Sequence, residues 1–130
     1  MIQTYDAKNV SVIVNNVYLT GFSEDIVEIE KDEDTYDVKV GAQGDVVRTR
    51  NNNPLGTIKV TLQASSPQVP MLDKLANAGT LVPVSVISSG ANKETSTASQ
   101  AFLTKPSARK YGKQADDREY EFKCLDLTIN

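Results

Sequence analysis

No histidine occurs in the 130 residues, and cysteine occurs once, at Cys124. Without histidine the chain lacks the commonest general base, the commonest metal ligand and the centre of most nucleophilic triads. A lone cysteine excludes an internal disulfide framework and is compatible with a reducing compartment. Cys124 lies mid-strand among apolar neighbours, so a small buried hydrophobe is expected there rather than a nucleophile. Long hydrophobic runs are also missing: the longest are a few residues, far short of a membrane span. No basic segment followed by an apolar one opens the chain, so no secretory signal is expected.

The stretches that resemble chemical motifs are incomplete. "GAQG" at 41–44 lacks the strand–glycine–helix setting and the lysine of a phosphate loop, and reads as turn or bulge glycines. "EKDEDTYD" lacks the glycine and the spaced terminal glutamate of a calcium loop, and reads as a solvated hairpin tip. "DDRE" at 116–119 holds paired acids, but Arg118 between them makes it a surface ion-pair cluster. The inventory supports no catalytic residue, no metal site and no cofactor, and the chain is not expected to be an enzyme.

What is present suits one globular domain spanning 1–130, with 39% hydrophobic and 24% charged residues. A net charge of −3 makes the whole molecule a poor phosphate binder. The charge is unevenly spread: residues 1–45 are net −7, residues 46–65 net +3 and residues 66–130 net +1. Two arrangements fit that asymmetry, a mixed surface or self-complementary contacts between copies.

Alternation of apolar and polar residues dominates. Val10, Val12 and Val14 form a strand, Asn15-Asn16 a two-residue type I′ turn, and 17–21 the partner strand. "DIVEIEKDEDTYDVKV" reads as a second hairpin, with Val27, Ile29, Tyr36, Val38 and Val40 facing inward around a "KDED" turn. "DVVRTR" is a short strand and "NNNPLG" a loop. One helix is expected over 67–78, with Ser66 as N-cap, Pro67 at its first position, Leu72, Leu75 and Ala76 on its buried side and Gly79 beyond its end. Pro83 marks an edge or a bulge in the strand "LVPVSVIS". "SGANKETSTAS" reads as an exposed polar connection, "QAFLTK" as a strand and "PSARKYGKQADD" as a long polar loop. In the final strand the buried parity shifts between Cys124 and Leu125, which indicates a bulge or a strand covered on both faces. About nine strands and one helix imply a mainly β fold, an antiparallel β-sandwich or partial barrel with a short flanking helix.

The strand "GTIKVTL" poses the functional question. Ile58, Val60 and Leu62 make a core face, whereas Thr57, Lys59, Thr61 and Gln63 make a polar one. Open solvent, a neighbouring subunit and an enclosed wet channel all fit that polar face. Residues 41–56, with three asparagines in a row, Pro54, three glycines and two arginines, have few apolar groups to fix them on their own core. They read as an arm or extended loop that contacts other subunits, with Gly41, Gly44, Arg48, Arg50, Asn52, Pro54 and Gly56 as its marks. Arg48 and Arg50 share one side and are expected to meet acids of the 24–37 segment on a neighbour.

The order of these motifs resembles a family. "VGAQGDVVRTRNNNPLGTIKVTLQASSPQ", the helix after it, and "QAFLTKPSARKYGKQADDREYEF" are similar to tail tube proteins of contractile-tailed bacteriophages and phage-like bacteriocins. The resemblance rests on Gly41, Gly44, Gly56, Gln63, Ser66 and Pro67, then Lys105-Pro106, Gly112-Lys113 and Asp117-Arg118 followed by an aromatic. It implies a subunit that assembles with itself into stacked hexameric rings, the inner sheets of neighbours closing a barrel around a channel. It implies, as partners, a tail sheath protein and the baseplate and tail terminator proteins, with DNA passing through the lumen without specific binding. The implied location is the tail of a virion or phage-like particle made in the bacterial cytoplasm.

On that basis Glu28, Glu30, Asp37, Lys39, Thr57, Lys59, Thr61 and Gln63 are the candidate lumen-facing residues. Ser66, Pro67, Leu72 and Leu75 mark the scaffold helix. The alternatives are a tube-initiating baseplate protein, a type VI secretion ring, and a monomeric β-sandwich binding module that uses the polar loops at 88–99 and 105–118.

Overall fold

The computed structural model describes residues 2–90 and 92–130. Its strands are β1 (Val10–Val14), β2 (Val17–Tyr18), β3 (Phe22–Lys31), β4 (Tyr36–Val40), β5 (Val46–Arg50), β6 (Gly56–Leu62), β7 (Val82–Ser88), β8 (Glu94–Leu103), β9 (Arg118–Cys124) and β10 (Thr128–Ile129), with an α-helix, α1 (Val69–Ala78), between β6 and β7 and a 3-10 turn, Ala7–Asn9, before β1. Asn15 and Asn16 adopt φ of 50° and 65°, the left-handed pair that a type I′ turn demands, and they set Val14 opposite Val17. The partner strand is shorter than expected and ends at Tyr18.

Eight strands form one antiparallel sheet in the order β2-β1-β7-β8-β9-β6-β3, with β10 alongside β8. β2 and β3 stand at opposite ends of that order, yet only residues 19–21 join them. Four extended steps from Tyr18 to Phe22 reach about 14 Å, whereas seven flat strands at about 4.8 Å spacing put their outer members about 29 Å apart. The sheet must therefore curl. It remains open, since β2 and β3 do not pair. The result is a partial barrel rather than two separate packed sheets. Its inner face carries Val12, Val14, Ile58, Val60, Leu62, Val84, Tyr120 and Phe122, all enclosed in a single core. Helix α1 closes one side, with Leu72 wholly buried and Leu75 and Ala76 half-buried.

Three local expectations need correction, and a fourth offered two alternatives of which one holds. The hairpin expected over 25–40 does not form: β3 pairs with β6, from Val27↔Val60 to Lys31↔Gly56, and β4 pairs with β5 in a separate two-stranded sheet. Alternation makes a strand without naming its partner, and pairing with β6 lets Val27 and Ile29 continue the core face of Val60 and Ile58. Tyr36, Val38 and Val40 are consequently 46%, 66% and 62% exposed instead of facing inward. Second, "ETSTAS" is the first half of strand β8, not a loop; its β-branched threonines suit a strand, and Ser96 and Ala98 point into the core.

Third, the helix begins at Val69, behind Gln68. Ser66 is not its cap, and Pro67 lies outside it. The Ser66 hydroxyl instead donates to the Thr20 carbonyl at 2.6 Å, while Gln68 Oε1 accepts from the Thr20 amide and hydroxyl, each at 2.9 Å. These bonds tie the start of the helix to the β2–β3 crossing. Gly79, at φ 66°, ends α1 as expected, its amide donating to the Leu75 carbonyl at 3.0 Å. Fourth, Pro83 is not on an edge: β7 lies between β1 and β8, and the alternative expectation, a bulge, is met by a register shift between Val82 and Val84. The parity shift after Cys124 is a turn into β10, where Asp126 Oδ1 accepts from the amides of Ser99 and Gln100 at 3.1 Å each. Leu127 turns into the core there.

Candidate assembly surfaces

The outward face of β3, β6 and β9 is a register of charged and hydroxyl side chains. Glu28, Lys59 and Glu121 stand side by side across the three strands, as do Glu30, Thr57 and Lys123, and Thr61 stands opposite Glu119. Glu28, Glu30, Lys59, Glu119 and Glu121 are exposed, and Thr57 and Thr61 half-buried. Lys59 thus has an acid on each side, the arrangement that lowers cross-strand repulsion. Gln63 follows the last residue of β6, where its amide donates to the Gly21 carbonyl at 2.7 Å.

Asp37 and Lys39 do not belong to this face. Both are on β4, in the separate sheet, and Lys39 stands opposite Val47 rather than an acid. Glu119 and Glu121 take their place. The sequence reading passed over them although "REYEFKC" alternates as cleanly as β6.

The second surface is the β4–β5 hairpin, an arm whose strand residues are all exposed. Its turn is closed by the Gly41 amide donating to the Asp45 carbonyl at 2.8 Å, and Gly44 supplies a φ of 89° that few other residues tolerate. The arm starts five residues before Gly41, because β4 is half of it. Opposite residues of an antiparallel pair share a face. Tyr36, Val38, Val40, Val46, Arg48 and Arg50 therefore occupy one side, and Asp37, Lys39, Val47 and Thr49 the other. Arg48 and Arg50 do share a side, and the Arg48 guanidinium lies 4.5 Å from the centre of the Tyr36 ring.

The root of the arm is pinned to the sheet. Asp32 accepts from the Thr57 hydroxyl at 2.9 Å and pairs with Lys123, and its amide donates to the Leu55 carbonyl at 3.2 Å. On the returning chain the Asn51 side chain accepts from the Asn53 amide, and Asn53 from the Leu55 amide, each at 3.0 Å. These side-chain-closed turns convert a run of asparagines into a fixed exit path. Asn51 Nδ2 also donates to Glu33 Oε2 at 2.6 Å, while Asn52 points to solvent. Bonds from Lys123 and Thr57 hold the Asp32 carboxyl below its ordinary range, and bonds from Asn51 and Asn53 do the same for Glu33. Gly56 admits Leu127 at van der Waals contact where a side chain would not fit, and the Leu127 amide donates to the Pro54 carbonyl at 3.1 Å. Lys31 Nζ donates to the Leu127 carbonyl.

A further cluster joins helix, sheet and the 104–117 loop. Asp73 of α1 accepts from the Tyr120 hydroxyl at 3.0 Å through Oδ1 and from Arg109 Nη2 at 3.2 Å through Oδ2. Burial, reinforced by the Asp73 carboxylate, pushes the Tyr120 hydroxyl pKa well up, so it stays a donor. Asp73 was not singled out in the sequence; the pairing of Leu62 with Arg118, which fixes where Tyr120 lies, reveals its place. Cys124 is fully enclosed, and burial pushes its thiol up to about 11. Among the described residues no group of three or more metal-ligating side chains comes together, and no helix is long and apolar enough to cross a membrane.

Comparisons with known proteins place this architecture. The fold is similar to a chain of the PVC sheath–tube complex of an extracellular contractile injection system in its extended state, with a TM-score of 0.64 at 13% identity, over 98% of this chain and 91% of that one. It is equally similar to a chain of the PVC sheath/tube terminator, with a TM-score of 0.65 at 13% identity over 98% and 96% of the two chains. A chain of the anti-feeding prophage cap, the tube-terminating cap, gives a TM-score of 0.64 at 11% identity over 100% and 93%. At these identities the likeness establishes the fold. No curated protein matches the sequence. Residues 8–130, nearly the whole chain, match one family along their length, and the chain belongs to it: the family of the bacteriophage PhiTE tail tube protein, a component of the tail of a virion or phage-like particle.

Proposed function

We propose that this tail tube protein assembles into hexameric rings that stack into the inner tube of a contractile tail, with the β3-β6-β9 face lining the bore. The observation that carries the proposal is the arm. Ten strand residues, four of them valine, are paired only with one another and exposed on both sides. An isolated two-stranded hairpin is marginal in water, so an arm of this kind calls for a second copy. The free edges of β3 and β2 call for the same thing, since an unpaired strand edge is an association surface. Pairing β3 of one subunit with the opposite edge of the next would close a ring without leaving an edge.

The bore then presents Glu28, Glu30, Glu119 and Glu121 against Lys59 and Lys123 from each subunit. Such an acid-rich wall leaves DNA phosphates their counterions and lets the strand slide. The tube would serve as a conduit for DNA, or as the rod that a contracting sheath drives through the target envelope. The sheath, the baseplate and the terminator would be its partners, and similarity to chains of a sheath–tube complex and of a terminator supports the first and the last of these. Negative-stain microscopy of the concentrated pure protein tests the reading. Hollow rods of stacked rings are expected. Single rings that never stack would favour a terminating or initiating ring, and monomers at every concentration would overturn the proposal.

A further inference from the structure

Arg118 opens β9 on the same side of the strand as Tyr120 and Phe122, the core side, while Glu119 and Glu121 take the other. It is nine-tenths buried, and a guanidinium so enclosed ordinarily has a carboxylate beside it. Arg118 has none among the described residues, where the ion pairs are Arg109–Asp73 and Lys123–Asp32. The acids around it are spent or turned away. Asp73 serves Arg109 and the Tyr120 hydroxyl, Asp117 Oδ2 accepts from the Ser23 hydroxyl at 2.5 Å, and Glu119 points to the opposite face. What Arg118 has is a neutral phenol. Its guanidinium lies 5.6 Å from the centre of the exposed Tyr111 ring, and hydrogen bonding between the two draws the Tyr111 hydroxyl pKa down.

Arg118 lines a cavity of about 460 Å³ between α1 and the 104–117 loop, whose walls also carry Lys74, Arg109 and Tyr111. The one carboxylate there, Asp73, is already engaged, so three cations leave the cavity with an excess of positive charge. We propose that this cavity binds a small free oxyanion of the phosphate class, with the Arg118 guanidinium as its main donor and Arg109 and Lys74 at its rim. A guanidinium presents two parallel N–H groups that match two oxygens of such an ion, and bonds of this kind strengthen where water is excluded. The enclosure of Arg118 favours a compact ion over a segment of a docking protein. A bound ion would also tie Lys74 on the helix to both ends of the 109–118 segment. Within the chain that segment is closed by the Tyr111–Ala115 bridge, the Arg109–Asp73 pair and the Ser23–Asp117 bond. The Asp117-Arg118 pair of the sequence thereby acquires two tasks, Asp117 fastening the loop to β3 and Arg118 turning to the ion. Because Arg118 and Glu119 project from opposite sides of β9, the site lies away from the face assigned to the bore and puts no phosphate trap in that wall.

The phosphorus NMR line of inorganic phosphate, added to the full chain at constant ionic strength, tests the proposal. Saturable broadening is expected, with slower hydrogen exchange over residues 109–117 once the site is filled. Arg118→Lys keeps the charge but loses the paired donors, and should weaken binding about tenfold. Lys74 is exposed, so Lys74→Gln should melt with the parent and weaken binding about threefold, which keeps the test decisive if Arg118→Lys fails to fold. Lys93→Gln, at an exposed lysine outside the cavity, should leave binding unchanged. Broadening that never saturates, or that is the same in the parent and in Lys74→Gln, would mean an adventitious ion only and overturn the site. A tri-glutamate peptide that saturates the cavity while phosphate does not would overturn it too, because the cavity would then be a contact for a partner protein. The readout needs no assembly, so its failure would leave the tube reading intact.

Discussion

Gly56→Ala is the substitution whose cost the structure specifies best. A Cβ at Gly56 would lie 2.2 Å from Leu127 Cδ2, 2.8 Å from its Cβ and 3.0 Å from its Cγ. The methyl could rotate away, but the Cβ cannot move unless the backbone at Leu127 moves. That backbone is held on both sides, by its amide to the Pro54 carbonyl and by Lys31 on its own carbonyl. Gly56 is equally fixed, in register with Lys31 on one side and Cys124 on the other. Overpacking with so little room to relax should cost about 3 kcal/mol, the upper part of its usual range. For a chain of this size that lowers the melting temperature by about 10 °C. Leu127→Ala alone should cost about 2–5 kcal/mol, because it empties a buried site. The double variant should cost less than the sum by about 1–3 kcal/mol, since each change relieves the other. Urea unfolding of the four proteins measures the cycle. A Gly56→Ala protein as stable as the parent, or strict additivity, would refute the reasoning.

Three further outcomes follow from the same packing. Leu72→Ala should cost about 2–5 kcal/mol and Leu75→Ala less, because only Leu72 is wholly enclosed; equal losses in thermal melts would show the helix to be rotated. Asp32 and Glu33 are held below their ordinary values of 3.8 and 4.5, so their contribution to the arm root is complete above about 4.5 and is lost as the pH falls below 3.8 through their folded values. Hydrogen exchange at residues 51–55 should therefore quicken on acidification before the core amides lose protection, and simultaneous loss would contradict it. Cys124, buried and with its thiol pushed up to about 11, should resist thiol reagents in the native protein at neutral pH and react once urea unfolds it; rapid native labelling would contradict its placement.

The parts legible in sequence were those governed by neighbours along the chain. Asn15-Asn16 declares its turn because both residues tolerate positive φ, and Gly79 declares the helix end for the same reason. The alternation of Ile58, Val60 and Leu62 against Thr57, Lys59 and Thr61 declares a half-buried strand, and the structure has it. Partner choice was not legible. Val27 and Ile29 alternate identically whether they pair with β4 or with β6, and only the shared core makes β6 the answer. The same gap placed Asp37 and Lys39 beside Glu28 and Glu30 and hid Glu119 and Glu121. Ser66 misled for a different reason: a serine before a proline is a good cap in isolation, but the nearby Thr20 carbonyl, forty-six residues away in sequence, takes its hydroxyl. The arm was visible only in part, since its arginines and asparagines are conspicuous while β4 looks like any core strand.

The central claim is that this chain builds a tube whose bore is walled by the outward face of β3, β6 and β9. An electron cryomicroscopy map of the rods tests it most directly. The account predicts six subunits per ring, with Glu28, Glu30, Thr57, Lys59, Glu119 and Glu121 facing the channel and the 36–50 arm buried between copies. A map that puts those six residues on the outer wall, or leaves the arm free in solvent, would contradict it.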